Sequence, residues 1–210
     1  MTLSRTLQLI LGCVVLGTGV ALLLTPALGS DGFSTLVNGV SLAAGVSFAV
    51  ANVVVSLGFV ALAWTRGVRP GVGTLIQMVL VGVVATLVLG WLDQPEGWVA
   101  RVAMLALAFP VTAVGIVLYL GSRLGAGPAE AAAQAFDPPV PFAWTYSAVQ
   151  GGGALVGWQL GSAIGPGTVA VILLLGPATA LAGRLLRMDL TRSGNDEAPG
   201  SARDPGASMS

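Results

Sequence analysis

"IGPGTVAVILLLG" at residues 164–176 repeats a phrase met earlier in the chain, "PGVGTLIQMVLVG" at residues 70–82. In both, a G-x-G-T turn heads an apolar run, and a further glycine follows eight residues after the threonine. Sliding the sequence by 94 residues places Gly71 on Gly165, Gly73 on Gly167, Thr74 on Thr168 and Gly82 on Gly176. The same shift places Phe48 on Phe142, Gly58 on Gly152 and Trp64 on Trp158. Nearer the N-terminus the shift becomes 96: Gly19 meets Gly115, Leu22 meets Leu118, and Leu28–Gly29 meets Leu124–Gly125. A two-residue difference in the intervening loop explains the change. Paired tryptophans and paired G-x-G-T turns exceed what shared Gly, Ala and Leu content would give.

What the two copies are made of follows from composition. Hydrophobic residues form 55% of the 210-residue chain and charged residues only 9%, against about 25% charged in soluble domains. So few charges cannot cover a water-exposed surface, whereas a bilayer accepts such a chain. Lipid is therefore the expected partner. Net charge is zero, which gives no reason to expect nucleic acid.

Six stretches approach the roughly 20 apolar residues that a bilayer-crossing helix needs: 6–25, 47–65, 71–92, 99–120, 142–160 and 166–186. The fifth is the weakest, because Tyr146, Gln150 and the glycines 151–153 interrupt it. A cleaved signal peptide is a rival reading of the first, with "PALGS" (26–30) as the cut site. Its apolar length and its recurrence as a later span oppose that. Residues 1–187 are expected to form a single transmembrane domain, with repeats at about 6–92 and 99–186. Residues 188–210, rich in Ser, Gly, Asp and Pro, read as a disordered cytoplasmic tail.

Three spans per repeat is an odd number, so the second copy enters the membrane from the opposite side. The expected fold is all-α and polytopic: six transmembrane helices in two inverted three-helix repeats. Arginine placement sets sidedness. With the N-terminus inside, Arg5, Arg66, Arg69, Arg123, Arg184 and Arg187 fall on the cytoplasmic side and only Arg101 falls outside. Both termini are thus expected in the cytoplasm, with the bacterial cytoplasmic membrane as the location. After the first span of each repeat comes a segment too short to cross, "SDGFSTLVNGVSLAAG" (30–45) and "GPAEAAAQAF" (127–136). Asp31 suits an N-cap, Pro128 the first helical position and Glu130 the first turn. These short helices either lie at the interface or dip into the membrane.

Chemistry-bearing residues are few. The chain has no His and its nine cations are all arginine, so no general base pairs with a nucleophile, and no enzymatic activity is expected. No metal-ligand spacing or cofactor motif occurs, and the G-x-G-T turns lack the lysine of a phosphate-binding loop. Thr74 and Thr168 are expected to cap the spans they precede, with Gly71, Gly73, Gly165 and Gly167 forming the turns. The lone Cys13 reads as a buried apolar residue. Asp31 and Glu130 read first as caps at a wet interface and second as gating or coupling groups. Asn52 and Tyr146 are equivalent under the 94-residue shift, as are Ser56 and Gln150. They serve either interhelical hydrogen bonding or a solute site lined by the second span of each repeat. Asn52, Tyr146, Gln150, Asp31 and Glu130 are the candidate site.

The G-x-G-T turns, and "LGAGP" (124–128) followed by an acidic short helix, resemble the bacterial YczE/YyaS/YitT-like membrane proteins over residues 5–187. In that family's pattern G-x-G-P-x-D follows the first span of a repeat and G-I-G-T precedes the third. Here "LGSDGFS" keeps Asp31 without the proline, and "LGAGPAE" keeps Gly127 and Pro128 with Glu130 in place of the aspartate. The resemblance implies a multi-span bacterial membrane protein and carries no defined activity.

Inverted repeats of three spans are a common transporter plan, with the site at the repeat interface near mid-depth. The leading expectation is therefore a small-solute transporter or channel. A neutral or amphipathic solute fits the scarcity of charge better than a polyanion. The alternative is a non-transporting membrane component, a binding subunit or a scaffold. It would meet a partner membrane protein, or a second copy of itself, through small-residue faces such as Gly12, Gly17 and Gly19.

Overall fold

In the computed structural model, residues 3–187 are described, and every regular element among them is a helix. They are α1 (Leu3–Leu24), α2 (Gly32–Ala44), α3 (Phe48–Thr65), α4 (Val72–Leu89), α5 (Trp98–Gly121), α6 (Pro128–Gln134), α7 (Phe142–Gln159) and α8 (Pro166–Leu185). The tail expected from 188 onward lies outside the described residues. Both sequence shifts reappear in the helix bounds. Helices α2 and α6 begin 96 residues apart; α3 and α7 begin and end 94 apart, and α4 and α8 begin 94 apart.

Five helices, α1, α3, α4, α5 and α8, are long and apolar enough to cross a membrane. The sixth, α7, matches α3 in length at 18 residues, but its Tyr, Gln and Gly residues lower its hydropathy. It is continuous through Gly151–Gly153. All five tryptophans (Trp64, Trp91, Trp98, Trp144 and Trp158) are exposed and sit at or near helix ends. That is where indole rings settle in bilayers, apolar body inward and N–H toward water.

The two repeats join through α1 and α5. Gly12 packs on the backbone of Tyr119, Leu16 on Gly115, and Gly19 on Thr112. Ascending one helix means descending the other, so they are antiparallel, as inversion demands. The shift of 96 converts the Gly19–Thr112 contact into Gly115–Leu16, so a two-fold axis passes between α1 and α5 near these residues. The approach is backbone to backbone: a Cβ on Gly12 would lie 2.5 Å from the Tyr119 nitrogen, and one on Gly115 would lie 2.5 Å from the Leu16 nitrogen. In lipid, where burial of apolar surface gives helices little reason to associate, such close packing is a main source of cohesion. Gly17 faces Val81 and Val84 of α4. The expectation that Gly12, Gly17 and Gly19 offer a face to a partner is thus corrected: all three are buried inside the fold, because α4 and α5 need their backbones close to α1. Leu9, Cys13, Leu16 and Val20 of α1 join Val37, Phe48, Val81 and Tyr119 in the main core.

The short helices are exchanged between repeats. α2 packs on α7 of the other repeat, and α6 on α3. Gly32 at the start of α2 meets Gln150 in the middle of α7, and Gly39, two turns on, meets Gly157 near its C-terminal end. α2 therefore starts at the depth of the middle of α7 and runs outward beside it, the geometry of a re-entrant half-helix rather than of one lying flat. Asp31 accepts a hydrogen bond from the Ser34 N–H at 2.9 Å, and Gly45, at φ 64°, closes the C-terminal end.

Substitutions at these contacts separate by what each glycine faces. Gly115→Ala should destabilise by about 1–3 kcal/mol through overpacking. Gly58→Ala, with nothing within 4 Å of its new methyl, should be neutral or stabilising through helix propensity. Thermal unfolding in detergent compares them; equal midpoints would contradict the α1–α5 contact.

Candidate functional site

The G-x-G-T turns hold the loops that carry the acidic residues. The Gly167 N–H donates to the Leu28 carbonyl at 2.8 Å, and the Gly73 N–H donates to the Leu124 carbonyl at 2.8 Å. Each turn of one repeat thus grips the loop after the first span of the other. Gly29 (φ 99°) and Gly125 (φ 143°) adopt backbone that a side chain resists, and a Cβ at either would press on Thr168 or Thr74. The threonines divide their roles. Thr168 accepts from the Gly165 N–H at 3.4 Å, within its own turn. The Thr74 hydroxyl donates instead to the Ala126 carbonyl of the other repeat at 2.6 Å, which corrects the expectation that it caps α4. Gly71 is the N-cap there and offers no side chain, leaving the hydroxyl free to cross.

Held in this way, the starts of α2 and α6 converge on a cavity of about 100 Å³ beside the two-fold axis. That is several times the roughly 10–15 Å³ needed to hold one water. Asp31, Asn52, Glu130, Tyr146 and Gln150 all line it, so the five residues singled out from the sequence come together in space. Gln77, Thr112 and Tyr119 complete its polar wall, while Leu16, Val20, Phe48 and Ile116 supply apolar surface.

Several of these side chains are fixed by bonds within the protein. Gln150 accepts from the Phe33 N–H at 3.0 Å and donates to the Tyr146 hydroxyl at 2.9 Å, so α7 ties down the first turn of α2. Asn52 donates to the Met78 carbonyl of α4 at 2.6 Å. Three others are not so fixed. The Gln77 side-chain oxygen, the Thr112 hydroxyl and the Tyr119 hydroxyl are buried without a hydrogen-bond partner among the described residues. These residues are 8%, 3% and 2% exposed. Tyr119 stands near Gln77, the Gly127 N–H and Glu130 yet closes no aligned hydrogen bond with them. An unsatisfied buried polar atom costs about 1–3 kcal/mol, so a cluster of three around one cavity marks a place built for something other than packing.

The acids sit in the same low-polarity setting. Asp31 and Glu130 are half-buried by surface and line the cavity, which corrects the reading of both as caps at a wet interface. Asp31 does cap α2, but the returning loop carries it inward. Burial raises the pKa of each above its usual value, and hydrogen bonds from the Asp31 cap and around Glu130 only partly offset this. The charge on Asp31 further raises that of Glu130. Among the described residues, no basic residue lines the cavity.

Among the described residues, the arginines other than Arg101 gather at one end of the fold. Arg66 lies over the Phe136 ring at 4.4 Å, and Arg69 and Arg123 adjoin the Gly73–Leu124 clasp. Arg5 and Arg184 occupy the helix ends on that same side, given the antiparallel α1–α5 packing and the parallel α5–α8 packing, in which the start of α8 meets Leu28 beside the start of α5. Arg101 stands at the other end.

Sequence reasoning singled out none of Tyr119, Thr112 and Gln77 for the site. A signal was present: Thr112 is the 96-shift partner of Leu16, hence close to the axis.

The chain belongs to a family of unknown function (DUF6198), whose family model matches residues 3–184. No curated protein and no solved structure matches it. With five apolar spanning helices, it is a multi-pass membrane protein in contact with lipid.

The raised acids have a consequence for stability. A carboxyl that binds its proton more tightly folded than unfolded stabilises the fold at low pH. That contribution declines as pH rises from the ordinary values of 3.8 and 4.5 through the raised ones. Thermal midpoints should fall over this window and then level off. The double variant Asp31→Asn, Glu130→Gln should flatten the profile, and an unchanged profile would contradict the buried placement.

Proposed function

We propose that the protein is a small-solute transporter or channel whose site is the cavity at the interface of the two repeats. One observation carries this: three buried polar atoms without partners, on Gln77, Thr112 and Tyr119, surround a cavity that also gathers Asp31 and Glu130. An internal site beside the axis of an inverted repeat is the arrangement in which rocking one half against the other exposes a solute to alternate sides. The re-entrant starts of α2 and α6 strengthen the reading, since irregular backbone at membrane depth survives where it lines a cavity.

The remaining features are part of the same proposal. The arginine-rich end faces the cytoplasm of a bacterial cell, with both termini inside. Residues 1–187 act as one transmembrane unit. The absence of His and Lys from the chain supports binding rather than catalysis, without cofactor or metal. The G-x-G-T turns, with Gly127, Pro128 and Glu130, support kinship with the YczE/YyaS/YitT-like proteins. A scaffold role loses its main argument, because the glycine faces that would meet a partner are occupied by α4 and α5.

The test uses the atoms that lack partners. Tyr119→Phe and Thr112→Val remove polar groups that bond to nothing in the fold, so the unfolding midpoint should hold or rise. If the cavity binds solute, both variants should weaken the stabilisation that a small solute gives the parent, about 2.7 kcal/mol at 100 times its dissociation constant. Flux through reconstituted vesicles should fall with it. Stabilisation by lipids alone, across a panel of small solutes, would contradict the proposal.

A further inference from the structure

The cavity has a charge character that narrows what it accepts. Two carboxyls face it, Asp31 from α2 and Glu130 from α6. The other titratable groups on the wall are Tyr119 of α5 and Tyr146 of α7; α1, α3, α4 and α8 contribute only uncharged side chains. A carboxyl enclosed by protein, with no basic partner, reaches electrical neutrality in two ways: it holds a proton, or it holds a cation. Anions find nothing to pair with.

The rest of the wall selects among cations. The Gln77 side-chain oxygen can only accept a hydrogen bond, and the Thr112 and Tyr119 hydroxyls can accept as well. All three are unpartnered and at least nine-tenths buried. Beside them lies apolar surface, from Leu16, Val20 and Ile116, together with the rings of Phe33 and Phe48. A bare metal ion wants oxygen on every side and would meet hydrocarbon from five of the lining side chains. A cation with N–H donors at one end and a short alkyl group at the other matches both kinds of surface. Aromatic faces add attraction for its charge. At about 100 Å³, the space suits a small solute.

Building on the solute-site reading above, we infer that the cavity binds a small alkylammonium cation in exchange for a proton. The ammonium group lies between Asp31 and Glu130, and the alkyl group lies against α1 and α5. One proton leaves the carboxyl pair for each cation that enters, so the net charge of the site is conserved. Bringing the cation from one side and the proton from the other makes the protein an exchanger.

Calorimetry on the full chain in lipid nanodiscs tests this, with methyl-, ethyl- and propylammonium chloride as probes. Sodium and potassium chloride, and the neutral solute acetamide, serve as comparisons. Affinity should rise about fourfold per added methylene until the cavity is filled. Binding should release one proton into weak buffer, and it should weaken about tenfold per unit fall in pH where the displaced proton is bound. Glu130→Gln should abolish proton release. Tyr119→Phe should weaken binding yet leave the proton count unchanged, and it keeps the test decisive if the first variant does not fold. Sodium or potassium binding in preference to the amines, or amine binding without proton release, overturns the inference. Acetamide binding that needs Tyr119 and Thr112, with no response to amines, also overturns it while leaving the cavity as a solute site. If no small probe binds, both readings fall.

Discussion

The backbone contact between α1 and α5 is the constraint on which the other packing depends. In a bilayer, Leu and Val side chains gain little by leaving lipid for one another, so helices need another reason to meet. Here it is the absence of side chains at Gly12, Gly19 and Gly115, which brings two antiparallel backbones into direct contact. Because Gly19–Thr112 and Gly115–Leu16 are the same contact seen from each repeat, the crossing also fixes the two-fold axis. Everything near that axis occurs twice, once in each orientation.

From that crossing the rest is propagated by exchange. Each repeat sends the loop after its first span into the G-x-G-T turn of the other, and its short helix onto the other's second span. Interlocking of this kind makes the halves interdependent, since neither can place its short helix alone. It also creates the cavity. Two half-helices that both start near the axis cannot meet end to end without crowding Asp31 against Glu130. The space left between them is lined by whatever the neighbouring helices present, hydroxyls and amides together with hydrocarbon.

Much of this was legible in the sequence. The repeat, its inversion and six of the eight helices follow from glycine and tryptophan spacing, apolar run lengths and the parity of three. The pairing of Asn52 with Tyr146, and of Ser56 with Gln150, follows from the shift alone. Depth was not legible. Asp31 and Glu130 carry the local signature of helix starts wherever those starts lie, and a cap reads alike in water and in a cavity. What decides the matter is tertiary: Leu28 and Leu124 are gripped by turns more than fifty residues away. Tyr119 and Thr112 stayed hidden for a related reason. An isolated polar residue in an apolar helix does not reveal which neighbour it faces.

The functional reading requires that the acidic loops fold back to an internal cavity between the repeats. Infrared difference spectroscopy of the protein in lipid, titrated across pH, tests that claim most directly. The account predicts protonated-carboxyl carbonyl bands that persist above the usual carboxylate range and that disappear singly in Asp31→Asn and Glu130→Gln. If both groups lose their protons as ordinary solvated acids do, the loops lie at the membrane surface and the internal site does not exist.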